Sequence, residues 1–146
     1  MIKEGKDLTQ EAPRSPKERI LGFAVIARTI DKCRAKLWGN IGEYHFDCPL
    51  DNMLFGFKGI KGDDFKDFVQ EGRTDEEIAH WVKENGESRT DAEIKAWSDA
   101  SLETYYVNDP EKSEWFRGEC ERLGLDPETT TLFDMLDVDD AQAFAK

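Results

Sequence analysis

The chain has 146 residues, 38% of them hydrophobic, with four Trp, nine Phe and three Tyr and a formal net charge of −12. That length suits one domain around one core, and the aromatic content is too high for a disordered chain. So acidic a surface repels phosphate backbones and anionic lipid, which argues against nucleic acid and membranes as partners.

The charge is unevenly spread. Residues 14–36 hold seven basic and two acidic groups, while residues 37–146 carry a net −16. Residues 1–14 are polar, and Pro13 and Pro16 bracket Arg14 and Ser15, so an extended arm is expected there. From Pro16 to Trp38 the pattern predicts one long central helix. Ser15 stands at the cap, Pro16 at the first helical position, Glu18 three residues after the cap, and Gly39 at the close. Wound at 100° per residue, Ile20, Phe23, Ile26, Ala27, Ile30, Cys33, Leu37 and Trp38 form one stripe. Asp31 and Arg34 fall at that stripe, and three-residue spacing lets Arg28 and Arg34 both reach the Asp31 carboxylate. A carboxylate turned to a core needs such partners. The preferred reading of this cluster is a structural ion network; the functional one is a polar floor that binds an anion or moves a proton.

Residues 39–48 read as an irregular loop. Pro49 then starts a short helix with Cys48 at its cap and Leu50, Met53, Leu54 and Phe57 at helical spacing, and another helix follows from Asp63. Next comes a repeat: Arg73-Thr74-Asp75-Glu76-Glu77-Ile78-Ala79-His80-Trp81 matches Arg89-Thr90-Asp91-Ala92-Glu93-Ile94-Lys95-Ala96-Trp97 sixteen residues later. Each copy has a Thr cap, a Glu three residues on, and an Ile and Trp on one face, predicting a helical hairpin over 72–105 with structural tryptophans. A further helix is expected from Pro110, with Trp115, Phe116, Cys120 and Leu123, stopped by Gly124. Residues 125–146 should supply one or two helical turns docked through Leu132, Phe133, Leu136 and Phe144. The expected fold is therefore all-α, a single-domain bundle of about six helices around the 16–38 helix.

Three chemical candidates arise. Cys48 at a helix N-terminus, with His45 as its base and Asp47 or Asp51 orienting it, is a conceivable nucleophile. If the segment is extended, Glu43, His45 and Asp47 share a face that could meet a metal, but without HExxH or CxxC spacing no metal or other cofactor is predicted. Third, Arg28, Asp31 and Lys32 could face Tyr44, His45 and Asp51 across a cleft suited to a small anionic ligand, although the preferred reading is a buried network that pins the loop to the helix. Cys33, Cys48 and Cys120 are widely spaced and odd in number, which indicates reduced thiols. With no apolar run long enough for a bilayer and no signal-peptide core in MIKEGKDLTQ, a cytoplasmic protein is expected.

The stretches DLTQEAPRSP, ARTIDKCRA, GEYHFDCPLD and TTTLFDMLD, spread over nearly the whole chain, resemble a bacterial family, the domain of unknown function 5069. The resemblance implies a bacterial, single-domain protein and brings no activity or catalytic residues with it. The leading functional expectation is a small soluble binding or interaction protein without catalysis, acting with a protein partner or as a homodimer. The alternative is an enzyme or anion-binding domain built on Arg28, Asp31, Lys32, Arg34, Tyr44, His45, Cys48 and Asp51.

Overall fold

The computed structural model describes residues 5–145, so the first four residues of the predicted arm lie outside it. Among the described residues there are seven α-helices and no strand: α1 (Ile26–Trp38), α2 (Pro49–Lys58), α3 (Gly62–Val69), α4 (Asp75–Glu84), α5 (Asp91–Ser101), α6 (Ser113–Leu123) and α7 (Leu132–Ala143), with a 3₁₀ turn at Tyr106–Asn108 before α6. This is the all-α architecture that the helical periodicity predicts. The seventh helix is the tail, where Thr131 caps α7 by accepting from the Asp134 amide at 3.1 Å. Twelve residues propagate there instead of one or two turns. The contacts divide the chain into two compact units, Met1–Ser98 and Asp99–Lys146.

In the first unit α1 lies against α2, α3 and α4. It begins at Ile26, ten residues later than the predicted Pro16. Ser15 caps only a turn, its Oγ accepting from the Lys17 amide at 3.1 Å. Ile20 and Phe23 then exchange both backbone hydrogen bonds around Leu21 and Gly22, which have φ of 51° and 85°. Two successive positive φ values make a tight reversal that a helix cannot contain. Ser98 on α5 holds it, accepting from the Ala24 amide at 2.9 Å and donating to the Gly22 carbonyl at 2.7 Å. A side chain from a distant helix thus satisfies the backbone groups that a continuing helix would have used. Val25, the residue before α1, has φ 73°, a strained setting for a β-branched residue, and its amide donates to the Pro16 carbonyl at 2.8 Å.

Every residue from Ile26 to Cys33 is buried, charged ones included. The core around α1 is aromatic: Phe55 and Phe65 lie 5.2 Å apart between ring centres, with Phe46 at 6.1 Å from each. The repeat supplies two capping boxes. Thr74 Oγ1 accepts from the Glu77 amide at 3.2 Å and Thr90 Oγ1 from the Glu93 amide at 3.1 Å, while each Glu carboxylate accepts from its Thr amide. Ile78 and Ile94 are buried, Trp81 stacks on Phe68 at 5.3 Å, and Trp97 stacks on Phe57 at 4.8 Å. The buried Lys58 pins the segment between α4 and α5 by donating to the carbonyls of Lys83 and Glu87. Burial, then the neighbouring Arg89, pushes its ammonium below the usual lysine value.

In the second unit α6 packs on α7 and on the 3₁₀ turn. Its helix starts at Ser113 rather than Pro110, because the Asp109 carbonyl accepts from both the Lys112 and Ser113 amides and holds the proline in a turn. Phe116, Cys120, Leu132, Phe133 and Met135 are buried. No described helix is long and apolar enough to cross a membrane.

Candidate functional site

Two polar clusters meet α1 within the first unit. The first is centred on Asp31, and its main partner is Arg14 from the arm. The Arg14 amide donates to Asp31 Oδ2 at 2.8 Å, and its Nε and Nη2 reach the same carboxylate at 3.0–3.2 Å. Arg14 Nη1 also reaches Asp75 Oδ2 at 2.8 Å, and Arg34 Nη1 holds Asp75 Oδ1 at 2.7 Å. The result is an alternating chain Asp31–Arg14–Asp75–Arg34 that ties the arm and the first turn of α4 to α1. Burial lowers the Arg14 guanidinium's affinity for its proton, but the hydrogen bonds to Asp31 and Asp75 outweigh this and raise it. The same opposition operates at Asp75: burial pushes the carboxyl up, and the arginines hold it below the usual carboxylate range.

The expectation that Arg28 and Arg34 share Asp31 is therefore corrected for Arg34, which engages Asp75 and the Arg73 carbonyl at 3.0 Å. Spacing along one helix allowed the contact, but Arg14 of the arm takes the carboxylate and Asp75 takes Arg34. Arg28 lies over the Tyr44 ring, 5.5 Å from its centre, with Nη1 3.4 Å from the Arg14 carbonyl.

The second cluster joins α1 to the start of α2. Asp51 is fully buried and accepts from Thr29 Oγ1 at 2.7 Å, Lys32 Nζ at 2.9 Å, and the amides of Asp47 and Cys48 at 2.9 and 3.4 Å. Lys32 is 3% exposed, and its ammonium also donates to Cys48 Sγ at 3.2 Å. Cys48 stands at the N-cap of α2, and its amide donates to the Asp51 carboxylate three residues on. The preceding Asp47 has φ 62°, which aspartate tolerates, and Asn52 Nδ2 holds the Asp47 and Cys48 carbonyls at 3.1 and 3.0 Å. The Asp47 carboxylate packs so closely on Gly62 that a methyl group there would collide with it, which explains the glycine at the start of α3.

A family match gives this geometry its setting. The family described as Domain of unknown function (DUF5069) matches residues 10–142. The chain belongs to this family. No curated protein matches it.

The DUF5069 match takes in every residue of both clusters. Of the predicted candidates, Lys32, Asp51 and Cys48 come together, Arg28 meets Tyr44, and Asp31 and Arg34 belong to the other cluster. His45 is exposed and makes no side-chain hydrogen bond among the described residues; the cation set against the Cys48 sulfur is Lys32. Glu43, His45 and Asp47 form no metal-binding group, and no three such donors converge among the described residues. Sequence reasoning missed Arg14, Asp75 and Thr29. Arg14 had a signal in the paired prolines around it, which restrict the backbone that delivers it; Asp75 and Thr29 had none beyond position in a helix.

Proposed function

We propose that this DUF5069 chain is a small, soluble bacterial protein of the cytoplasm that works by binding another protein, without catalysis. The observation that carries this reading is Trp115, 52% exposed on α6. An exposed indole is costly to leave in water and is a frequent anchor of interfaces. Its ring is steadied by Tyr106 at 6.5 Å, and Gly118, three residues on, leaves open space beside it, since a methyl group there meets no atom within 4 Å. Glu111 and Glu114 precede the indole in the chain, are exposed, and make no ion pair among the described residues. Residues 99–146 hold thirteen acidic and four basic side chains. An aromatic face within such a charge field fits a partner segment carrying Lys or Arg beside an apolar side chain, joining cation–π attraction to ion pairing. The charges on α1, by contrast, hold one another, which suits support of the fold better than an open anion site.

The test compares the parent chain with Trp115→Ala and with the double variant Glu111→Gln, Glu114→Gln. The expected result is a bound protein that both variants lose at least about tenfold in affinity, with binding weakened by salt and mapped to a basic segment. Retention of every bound protein by both variants refutes the reading. So does sedimentation showing that the face only joins two copies of this chain.

A further inference from the structure

The Lys32–Cys48 contact has a chemistry that neither the fold nor the binding face uses. Two nucleophiles, an amine and a thiol, face each other at 3.2 Å inside one unit. The amine is almost wholly buried and held in place by Asp51 at 2.9 Å, whereas Cys48 is half-buried. The other two cysteines contrast with it. Cys33 and Cys120 are buried, and burial pushes the Cys33 thiol up to about 12 and raises that of Cys120. Cys48 instead is half-buried at the N-cap of α2, with the Lys32 ammonium donating to its sulfur.

We propose that Cys48 is an oxidation site for hydroperoxides whose sulfenic acid is captured by Lys32, giving a reversible sulfur–nitrogen cross-link between α1 and the start of α2. In the first step the thiol sulfur takes one oxygen from the hydroperoxide; the O–O bond breaks, sulfur is oxidised to sulfenic acid, and the peroxide is reduced to water or an alcohol. A sulfenic acid condenses with a thiol or with a nitrogen, and the nitrogen here is already in contact. Asp51 receives one proton from the Lys32 ammonium and frees its lone pair. The nitrogen then attacks sulfur, the S–O bond breaks, and the departing hydroxide leaves as water with a second ammonium proton. The products are a sulfenamide, one water and a protonated Asp51. An external dithiol reduces the bond and restores thiol, ammonium and carboxylate. The consequence for the fold is direct: a buried ion pair becomes a neutral covalent tie between α1 and the start of α2.

The experiment treats the full-length protein with hydrogen peroxide at neutral pH and follows it by intact mass and peptide mapping. The expected product is lighter by two hydrogens, gives a linked peptide pair joining Lys32 to Cys48, and returns to the starting mass with dithiothreitol. The Cys33→Ser, Cys120→Ser background gives the same product, which rules out a disulfide as its source. Cys48→Ser loses it, and Lys32→Arg, which keeps the cation, yields a dimedone-trapped sulfenic acid at Cys48 instead. The proposal is overturned if folded parent protein accumulates oxygen on Cys48 with the Lys32 peptide free, or if Cys48 is oxidised no faster than Cys120. Because the decisive measurement is on the parent chain, it stands whether or not each variant folds.

Discussion

Asp51→Asn is the sharpest test of the buried cluster. The substitution keeps the shape of the side chain and removes only its charge, leaving the Lys32 ammonium, 3% exposed, without a counter-ion. It also turns one acceptor oxygen into an amide that cannot accept, so either Thr29 and Lys32 on Oδ1 or the Asp47 and Cys48 amides on Oδ2 lose their acceptor. Removing one member of a buried ion pair costs about 3–5 kcal/mol. With a urea dependence of about 2 kcal/mol per molar, a 3 kcal/mol loss lowers the unfolding midpoint by about 1.5 M. The assay is urea unfolding followed in parallel by far-UV circular dichroism and tryptophan fluorescence, since two compact units can unfold separately. Replacing both members, Lys32→Met with Asp51→Leu, should recover the part of the loss that comes from the unpaired ammonium, but not the part that comes from the acceptor lost by Thr29 and the Asp47 and Cys48 amides. A midpoint for Asp51→Asn within about 0.3 M of the parent refutes the reasoning, for it would mean that Lys32 is solvated or discharged.

The first cluster gives a parallel expectation: Asp31→Asn should cost about 2–3 kcal/mol in the same assay, less than Asp51→Asn, because Arg14 keeps Asp75 as a partner. Asp75 sets a pH dependence. Its folded carboxyl is held below the ordinary range, so its contribution is complete above the unfolded value and disappears as pH falls through the folded one. The stability difference between parent and Asp75→Asn should therefore shrink steadily when unfolding is measured at increasingly acid pH. Thr74→Ala and Thr90→Ala should each lose about 1 kcal/mol in unfolding experiments, with Thr→Ser at either position nearly neutral. Gly86→Ala should lose more than about 2 kcal/mol in thermal or urea unfolding, because Gly86 has φ 72° and a methyl group would strike the Lys58 carbonyl.

What could be read from the chain was what neighbouring residues decide among themselves. The Thr74 and Thr90 boxes, the cap at Cys48 with Pro49 behind it, and the left-handed closures at Gly39, Gly59 and Gly124 all depend on groups within four residues. The start of α1 was not legible in this way. Ser15, Pro16 and Glu18 form a sound local helix signal, but Gly22 lies within the same stretch, and Ser98, 76 residues away, settles the contest by taking the Gly22 carbonyl and the Ala24 amide. The cluster around Asp31 shows the same limit. Its burial followed from the apolar stripe, yet its partner came from the arm 17 residues earlier, where helical spacing has nothing to say. Lys32 and Asp51 could be read only as members of two groups of side chains facing each other across a reversal after Gly39, not as a pair. That the ammonium also sits on the Cys48 sulfur could not be read, because it depends on the angle at which α2 leaves the loop.

Asp31 and Lys32 are adjacent on α1 and both buried, yet they differ in what could replace them. Around Asp31, two carboxylates and two guanidiniums satisfy one another and tie together backbone segments that have no other reason to meet, the arm and the start of α4. An apolar set could fill that volume, but it would not fix which arm residue docks, and fixing such a choice is the best-attested use of buried charge. Lys32 is different, because α1 and α2 already lie against each other, with Ile30 on one and Leu54 and Phe55 on the other buried in the core. A leucine at position 32 would secure that contact without the burden of a desolvated ammonium. What leucine lacks is a nitrogen against the Cys48 sulfur. If the pair serves only packing, a Lys32→Leu, Asp51→Leu chain should differ from the parent only by the stability lost with the acceptor for Thr29 and for the Asp47 and Cys48 amides. If it serves the thiol, that chain should in addition lose the peroxide-dependent cross-link. Stability and oxidation chemistry thus separate at this one residue, which is where the two readings of the helix can be told apart.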